Sequence, residues 1–525
     1  MMSDSTMGIP EKDTMHDPVS ERIPGSPMSP ASGRSTWWVP LSILTCLLPV
    51  ILSVCFMAEP LARDQGYFAF GGWRILDGDL PYRDFWANTF PGVFWYYALL
   101  EFISGDAPVS ISLGNGAIIG LTAFLITAVL PGIRGIAAGL LYGISSVLLH
   151  RFWDIGQAEQ LVNLCMILSF YASRRSFHVV SGLAFSIAVL CKPISLLFIP
   201  IVVTRRIRWL LGAAVPPLLF ITPYIVSHTV TRIYDDLIRF NSAYGGSRWD
   251  SAWMLRTAEA MKSWVIARYP LVILGVPTVL KKWMSTKRLC IWCILAIVSV
   301  IVQAKYFSYH WIPVLLPLSM LAGYGIVEFG KIRFKYKSVL IICLASPMII
   351  FPHSLVKAWY PAFHEARIGV QYLVGRMDYE TYLEHFGDRS AGADFVAVDQ
   401  HAAICILNSL PPGDLLVWGF EPGINYLSRR TCDTRFVVDF PLTFGDMNTS
   451  NELRSKYRRE FLLEIENAPP HYIVIVSGDA NPVEPFDSET QLRMFDEFNT
   501  IVRRSYRVIH RAGYYRVLRF DDEVE

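Results

Sequence analysis

The chain has 525 residues, 53% of them hydrophobic and 18% charged, with a formal net charge of +2. The apolar residues are gathered into long runs, which argues for a polytopic membrane protein and against a soluble domain of this length. So small a net charge gives no case for nucleic acid as a partner. The nine cysteines form no metal-type spacing.

Residues 1–36 are rich in Ser, Pro, Met and charge and lack periodicity. They read as a disordered tail, expected in the cytoplasm. Segment 38–57 is long for a signal peptide and has no clear small-residue cleavage site, so it reads as a first transmembrane helix. Residues 59–97 follow, EPLARDQGYFAFGGWRILDGDLPYRDFWANTFPGVFWYY. This stretch has too few consecutive apolar residues to span a bilayer and too many aromatics for a linker. Its mix of Trp, Tyr, Arg and Asp suits the headgroup level of a membrane.

Further apolar segments run over 109–131, 134–151, 157–173, 178–203, 209–229, 265–280, 289–307, 310–330 and 338–354. Four basic clusters lie between them: Arg174 with Arg175; Arg205, Arg206 and Arg208; Lys281, Lys282, Lys287 and Arg288; Lys331, Arg333, Lys335 and Lys337. All four are expected on the cytoplasmic side. Parity then constrains two segments. Segment 178–203 has a basic cluster at each end, so it must return as a hairpin with Lys192-Pro193 at its tip. A Lys at membrane depth is expected to line a polar cavity. Residues 91–102 resemble a short spanning helix, but counting them as a crossing reverses the Arg174/Arg175 cluster, so an interfacial helix is expected. The solution has about eleven spanning elements, with the loops 58–108, 150–157 and 230–264 and the tail after 355 facing outward. Arg232, Arg239, Arg248 and Arg256 also fall in an outward loop, so the asymmetry is incomplete.

After residue 355 charged residues become regular and apolar runs shorten. Strands are expected at 415–418, 435–438, 472–477, 506–510 and 514–520, and helices near 396–409, 450–466 and 487–500. That alternation predicts a small extracytoplasmic α/β domain. Cys405 and Cys432 lie in it and would pair if it faces an oxidising compartment and the geometry permits. The sequence shows no glycine-rich phosphate loop, nucleophile elbow or His/Cys metal cluster there, and no internal repeat. The fold class expected is therefore a polytopic α-helical membrane protein with a C-terminal extracytoplasmic α/β domain. The divisions are 1–36 (tail), 37–354 (transmembrane domain, including the outward loop 58–108) and 355–525 (the α/β domain), in a multi-pass protein of the plasma (inner) membrane.

Several polar residues fall where that topology puts the outer boundary. Asp64 sits within a turn or so of the first helix end and suits a general base reached by a lipid-borne donor and a polar acceptor; the alternative is a loop carboxylate paired with Arg63. Arg83 suits a phosphate through its planar multi-donor group, or pairs with Asp84; Arg74 carries less weight. Asp154 and Glu159 would position an acceptor or join Asp64 around a divalent cation; the alternative is N-terminal charge for segment 157–173. Lys305 and His310, in KYFSYHWIPVLLP, would neutralise a lipid phosphate, or else snorkel and pack among Tyr306, Tyr309 and Trp311.

These motifs together resemble the membrane glycosyltransferases of the GT-C class, in particular bacterial relatives of protein O-mannosyltransferases and of the lipid A aminoarabinose transferase. The carrying residues are Arg63-Asp64-Gln65-Gly66-Tyr67, Trp73-Arg74-Ile75-Leu76, Gly78-Asp79-Leu80-Pro81-Tyr82-Arg83-Asp84-Phe85, and Asn88 to Pro91. Later ones are Gln157 to Asn163, Lys192-Pro193, Lys305 to Pro317, and Leu415 to Gly419 with Pro422 and Tyr426-Leu427-Ser428. The resemblance covers most of residues 38–440. It implies a polyprenyl-phosphate sugar as donor, a protein, lipid or glycan as acceptor, membrane lipid as surroundings, and inversion at the anomeric carbon. By motif position it implies Asp64 as base, Glu159 as a supporting carboxylate, and Lys305 and His310 as donor-phosphate ligands, with Arg63, Tyr67 and Asn88 near the substrate. It implies no definite cofactor; a divalent metal, if bound, would be held by Asp64 and Glu159. The sequence departs from the pattern twice. Gln65 stands where many relatives have Glu, and Asn88-Thr89-Phe90-Pro91 stands where many have Asn-Lys-Pro-Pro, which leaves Arg83, Arg74 or Lys192 to replace a phosphate contact. Two rival readings are a secondary transporter or flippase for a lipid-linked or anionic substrate, and a noncatalytic subunit that recruits an acceptor through its tail.

Overall fold

The computed structural model describes residues 38–521 apart from 106, 149–150, 205, 247–250, 332–341, 343, 388–394, 446–450 and 481–484. The expected tail 1–36, residues 338–341 of segment 338–354, and Arg205, Arg248, Arg333, Lys335, Lys337 and Cys343 lie outside the described residues.

The first half is a helical bundle. Its helices are α1 (Trp38–Ser53), α2 (Arg63–Leu76), α3 (Pro91–Ser104), α4 (Ala107–Val129), α5 (Ile133–Leu148), α6 (Ala158–Arg174) and α7 (His178–Cys191). The longer helices Ile207–Val226, Tyr269–Gln303 and Ile312–Gly330 complete it. Among the described residues five helices are long and apolar enough to cross a membrane, by length and composition. Ile312–Gly330 is the centre of the bundle: Ile312, Leu315, Leu316, Met320 and Ala322 are fully enclosed. Leucine and isoleucine remain exposed on α1 and on Ile207–Val226, as lipid-facing surfaces require.

The segment 178–203 breaks as its sequence dictates. Lys192 is extended (φ −155°, ψ 114°), because the following Pro193 excludes it from the helical region. The chain then runs through the short apolar stretch Pro193–Val202 and begins Ile207–Val226 beside the start of α7. A Cβ at Gly182 would meet the Trp209 carbonyl oxygen at 2.1 Å, and one at Gly212 would meet that of Val179 at 2.2 Å. Both helices therefore start at the same end of the bundle, which a hairpin explains and a single crossing does not. A second break, at Lys282 (φ −130°, ψ 28°), divides Tyr269–Gln303; the two expected apolar segments flank it.

The helix α3 buries Phe94, Tyr97 and Leu100 and exposes Trp95, Leu99, Phe102 and Ile103. Those four recur at helical spacing and form one apolar stripe. Residues 230–264, read from sequence as a loop, are largely helical, with a π-helical turn at Tyr234–Phe240 and a helix at Trp253–Ala267.

The C-terminal part carries a four-stranded sheet, β1 (Leu415–Trp418), β2 (Tyr472–Val476), β3 (Tyr506–Ala512) and β4 (Tyr515–Phe520), in the order β1-β2-β4-β3. The pair β1/β2 is parallel and the other pairs are antiparallel. Every residue of LLVW and YIVIV is buried, the pattern of parallel strands covered on both faces. The fifth expected strand, 435–438, does not form. That stretch instead accepts from the Trp86 N–H at the Arg435 carbonyl (2.7 Å), and the Arg435 side chain binds Asp236 at 2.9 Å and Glu460 at 3.0 Å. These contacts take up the groups a strand ladder would have used. The helix expected at 487–500 is two, Ser488–Arg493 and Asp496–Ser505. Cys405 and Cys432 are both free, so the expected pairing is not made.

At the carboxyl ends of the two parallel strands lie Glu421, three residues after β1, and Asp479, three after β2. Burial raises the Glu421 carboxyl to about 7, against the Arg63 charge and hydrogen bonds from Tyr515 and Gln400.

Two measurements check this account. Gly182→Ala should lower thermal stability by roughly 1–3 kcal/mol, because backbone atoms block the added methyl. Gly275→Ala should be near neutral, since its nearest neighbour lies at 3.5 Å. For Glu421 the folded-state value is raised, so its stabilising contribution is complete below the unfolded value near 4.5 and is lost as pH rises through about 7. The hydrogen-bond cost of Glu421→Gln does not vary with pH. The melting temperature of that variant, relative to the natural chain, should therefore climb between pH 5 and pH 8.

Candidate active site

The site is assembled around the first turn of α2. Ala62 is extended (φ −68°, ψ 174°), and the helix opens with Arg63 and Asp64. A carboxylate is favoured at that position because the first turn presents unsatisfied N–H groups. Opposite it, Gln157 precedes α6. Its Nε2 donates to Asp64 Oδ2 at 3.2 Å and to the Trp153 carbonyl at 2.9 Å. The next residue of α2, Gln65, is buried and donates to the carbonyls of Phe152 (2.7 Å) and Ile155 (3.0 Å). Thus Gln65 straps α2 to the 152–155 turn.

Behind Gln157 the carboxylate of Glu159 is buried and paired with Lys192 Nζ. The proline break at the end of α7 brings this lysine to the start of α6. Its ammonium also lies 5.5 Å from the Tyr309 ring centroid, and the Tyr309 hydroxyl hydrogen-bonds Asp64. Asp64, Gln157, Glu159, Lys192 and Tyr309 therefore form one cluster, drawn from four segments of the chain. Burial raises the Asp64 carboxyl above the usual aspartate range; hydrogen bonds from Gln157 and Tyr309 and the charges of Lys192 and Arg63 oppose that rise. A carboxylate lifted in this way holds a proton more tightly than a surface aspartate does, as a general base requires.

His310 is buried beside Tyr309, ring centroids 4.9 Å apart, and its Nδ1 has no hydrogen-bond partner among the described residues. Lys305 Nζ stands 3.3 Å from the Tyr244 ring centroid, a cation–π arrangement. The residues on either side of it, Ala304 (φ 52°) and Tyr306 (φ 55°), are left-handed. Two non-glycine residues in that region cost of order 1–3 kcal/mol each, and such strain gathers at functional sites. Asp154 is buried but does not cap α6. It accepts from Ser308 Oγ at 2.5 Å and from the Arg151 N–H at 3.1 Å, tying the 150–157 loop to the 304–311 loop. Burial raises its carboxyl to about 6 in spite of those bonds.

Other expected site residues lie elsewhere. Arg74 pairs with Asp79 at 2.5 Å and Asp77 at 3.3 Å within its own turn. Arg83 pairs with Asp84 at 2.6 Å, and Asp84 also accepts from the Leu80 N–H. Both arrangements are the local alternative, because short-range partners occupy these groups. Tyr67 is buried and donates to the Trp86 carbonyl at 3.3 Å, and the Asn88 carbonyl accepts from Asn241 at 2.8 Å. They shape the wall of the first loop. Arg63 turns the other way, to Asp479 of the C-terminal domain at 3.4 Å. Sequence reasoning missed Gln157 and Tyr309 as partners of Asp64, and Asp479 and Glu421 entirely. Gln157 opens a motif already singled out, so its place two residues before Glu159 was a usable signal; Asp479 offered none. Among the described residues no group of three or more His, Cys, Asp or Glu is placed to hold a metal, and the Glu159 carboxylate is paired with Lys192.

No family model and no curated protein matches the chain. Solved structures do match. The apo structure of ArnT from Cupriavidus metallidurans superposes with a TM-score of 0.50 at 16% identity, over 92% of this chain and 98% of that one. The same ArnT bound to undecaprenyl phosphate gives 0.47 at 15% identity, over 93% and 99%. The apo oligosaccharyltransferase of Archaeoglobus fulgidus gives 0.44 at 11% identity, over 84% and 70%. At such identities the likeness is one of fold, and it is the apo ArnT superposition at 0.50 that carries it: the chain has the fold of that structure.

Proposed function

We propose that the chain is an integral membrane glycosyltransferase. It takes a sugar from a polyprenyl-phosphate-linked donor and passes it, with inversion, to a protein, lipid or glycan acceptor on the outer side of the plasma (inner) membrane. The observation that carries this reading is the cluster in which Asp64, held by Gln157 and Tyr309, lies near Lys192, the partner of the buried Glu159. It sits where apolar helices meet a polar domain, which suits a donor with a lipid tail and an acceptor without one.

In this reading Asp64 takes the proton of the acceptor nucleophile as that nucleophile bonds to the anomeric carbon. The bond from that carbon to the phosphate oxygen breaks on the opposite face, and the polyprenyl phosphate leaves with the electron pair. Lys192, Lys305 and His310 offer positive charge or N–H donors to the departing phosphate, and preorganised donors are most effective where water is restricted. Glu159 holds Lys192 in place. The lysine in turn offsets the cost of burying the Glu159 carboxylate. Arg74 and Arg83, satisfied by neighbouring aspartates, are assigned no part.

The test is transfer of labelled sugar from undecaprenyl-phosphate-linked donors in membranes containing the protein at its normal level. Asp64→Asn should lower kcat by roughly 10²–10⁴-fold, the usual worth of a general base, with little change in KM for the donor. Full activity in that variant rejects the base. The broken returning segment with Lys192 at its tip also suits a transporter or flippase. Donor movement across sealed vesicles without any sugar transfer would establish that reading instead.

A further inference from the structure

Arg63 and Asp64 are consecutive, so on α2 they project about 100° apart. Asp64 faces the helical bundle through Gln157, and Arg63 faces the C-terminal sheet through Asp479. In open α/β sheets, ligands occupy the crevice outside the carboxyl ends of the parallel strands. Here Glu421 follows β1 and Asp479 follows β2 at that edge. Each acid is held in place by its own domain. The Asp479 carboxylate accepts from the Ser488 N–H and hydroxyl, both at 2.7 Å. That of Glu421 accepts from the Tyr515 hydroxyl and, at 3.1 Å, from Gln400 Nε2. Only 1% of Glu421 and 6% of Asp479 is exposed. The crevice is occupied by the start of α2. A Cβ at Gly66 would lie 2.7 Å from the Gly423 Cα, so the backbones touch where each residue is a glycine, and Tyr67 packs on Phe420 with centroids 5.6 Å apart.

We infer that Asp479, with Glu421 beside it, is a positioning residue for Asp64, acting through Arg63: the sheet takes the first turn of the base-bearing helix as its ligand and fixes the direction in which Asp64 points. The inference rests on the reading of Asp64 as the base. It goes beyond that reading by giving the C-terminal domain a direct part in the site. Among the described residues six charged or titratable groups bear on Asp64: Lys192 at the end of α7, Tyr309, Glu159 at the start of α6, Tyr97 on α3, and Arg63 and Tyr67 on its own helix.

The experiment uses the full chain in detergent micelles, with Arg63→Gln, Arg63→Lys, Asp479→Asn, Asp479→Glu and the double variant Arg63→Gln/Asp479→Asn. Two readouts need no turnover. The first is the pH profile of Asp64 labelling by a hydrophobic carbodiimide, which reacts with the protonated carboxyl and is read by mass spectrometry. Arg63→Gln should move the midpoint up by roughly one pH unit through loss of a neighbouring positive charge, and Arg63→Lys should restore it. The second is amide exchange in the first turn of α2. Asp479→Asn should raise it several-fold, Arg63→Gln to the same extent, and the double variant no further, while peptides of β2 stay protected. In transfer assays Asp479→Asn should lower kcat and leave KM alone, and Asp479→Glu should recover part of the loss. Unchanged exchange in α2 with Asp479→Asn, or additive effects in the double variant, overturns the inference. Should exposure of β2 show that Asp479→Asn has lost its fold, Asp479→Glu against Arg63→Lys decides by the same two readouts. A natural chain that turns over no polyprenyl-phosphate sugar defeats the transferase reading, whereas the labelling and exchange results still decide the coupling.

Discussion

A single helical turn is the point on which both halves of the molecule bear. The start of α2 is pressed against the C-terminal sheet at the Gly66–Gly423 contact and strapped to the bundle by Gln65 and by Gln157. Two adjacent side chains leave that turn in different directions, and each meets a charge or dipole from a segment remote in sequence. A methyl group at position 66 has no room unless the domain moves away. The helix that carries Asp64 is therefore an interface element, and its placement is as good as the fit between the two halves.

The same end of the bundle concentrates buried charge, and three of its carboxylates come with partners. Glu159 has Lys192, Asp154 has Ser308 and the Arg151 N–H, and Asp236 has Arg435 and the Tyr457 hydroxyl at 2.7 Å. Taking an ionised group out of water is costly unless charge and hydrogen bonds replace the water. That requirement explains why the loops here are knitted together and not loose: each carboxylate recruits a donor from another segment. Asp236 and Arg435 do for the 230–264 region what Arg63 and Asp479 do for α2, linking the C-terminal domain to the bundle. Burial still lifts Asp236 to about 6, with Arg435 opposing, so the pair keeps its charge against a real penalty.

Much of the architecture was legible because it follows from local rules. Runs of Leu, Val and Ile gave β1 and β2 nearly to the residue, and Lys192-Pro193 gave the break. Basic residues at both ends of 178–203 implied a return, and the starts of α7 and Ile207–Val226 lie side by side. The stretch 435–438 misled for a definable reason. Its β-favouring run Phe436-Val437-Val438 fits a strand, but its backbone and its arginine found partners outside the sheet, at Trp86 and Asp236. The 230–264 region misled because its charged residues break up any apolar run, although several of those charges are satisfied within the fold, as Asp235 is by Arg239 and Lys456.

By itself the sequence determined the apolar helices, the breaks between them, the small mixed domain at the end, and the presence of Asp64, Glu159, Lys192, Lys305 and His310 at helix ends. Those properties depend on hydrophobic pattern and on proline, which act over a few residues. The tertiary structure alone decided which partner each charged group takes: Lys192 for Glu159, Gln157 for Asp64, Asp479 for Arg63. Partner choice depends on which distant segments share a buried volume, and no spacing along the chain encodes that.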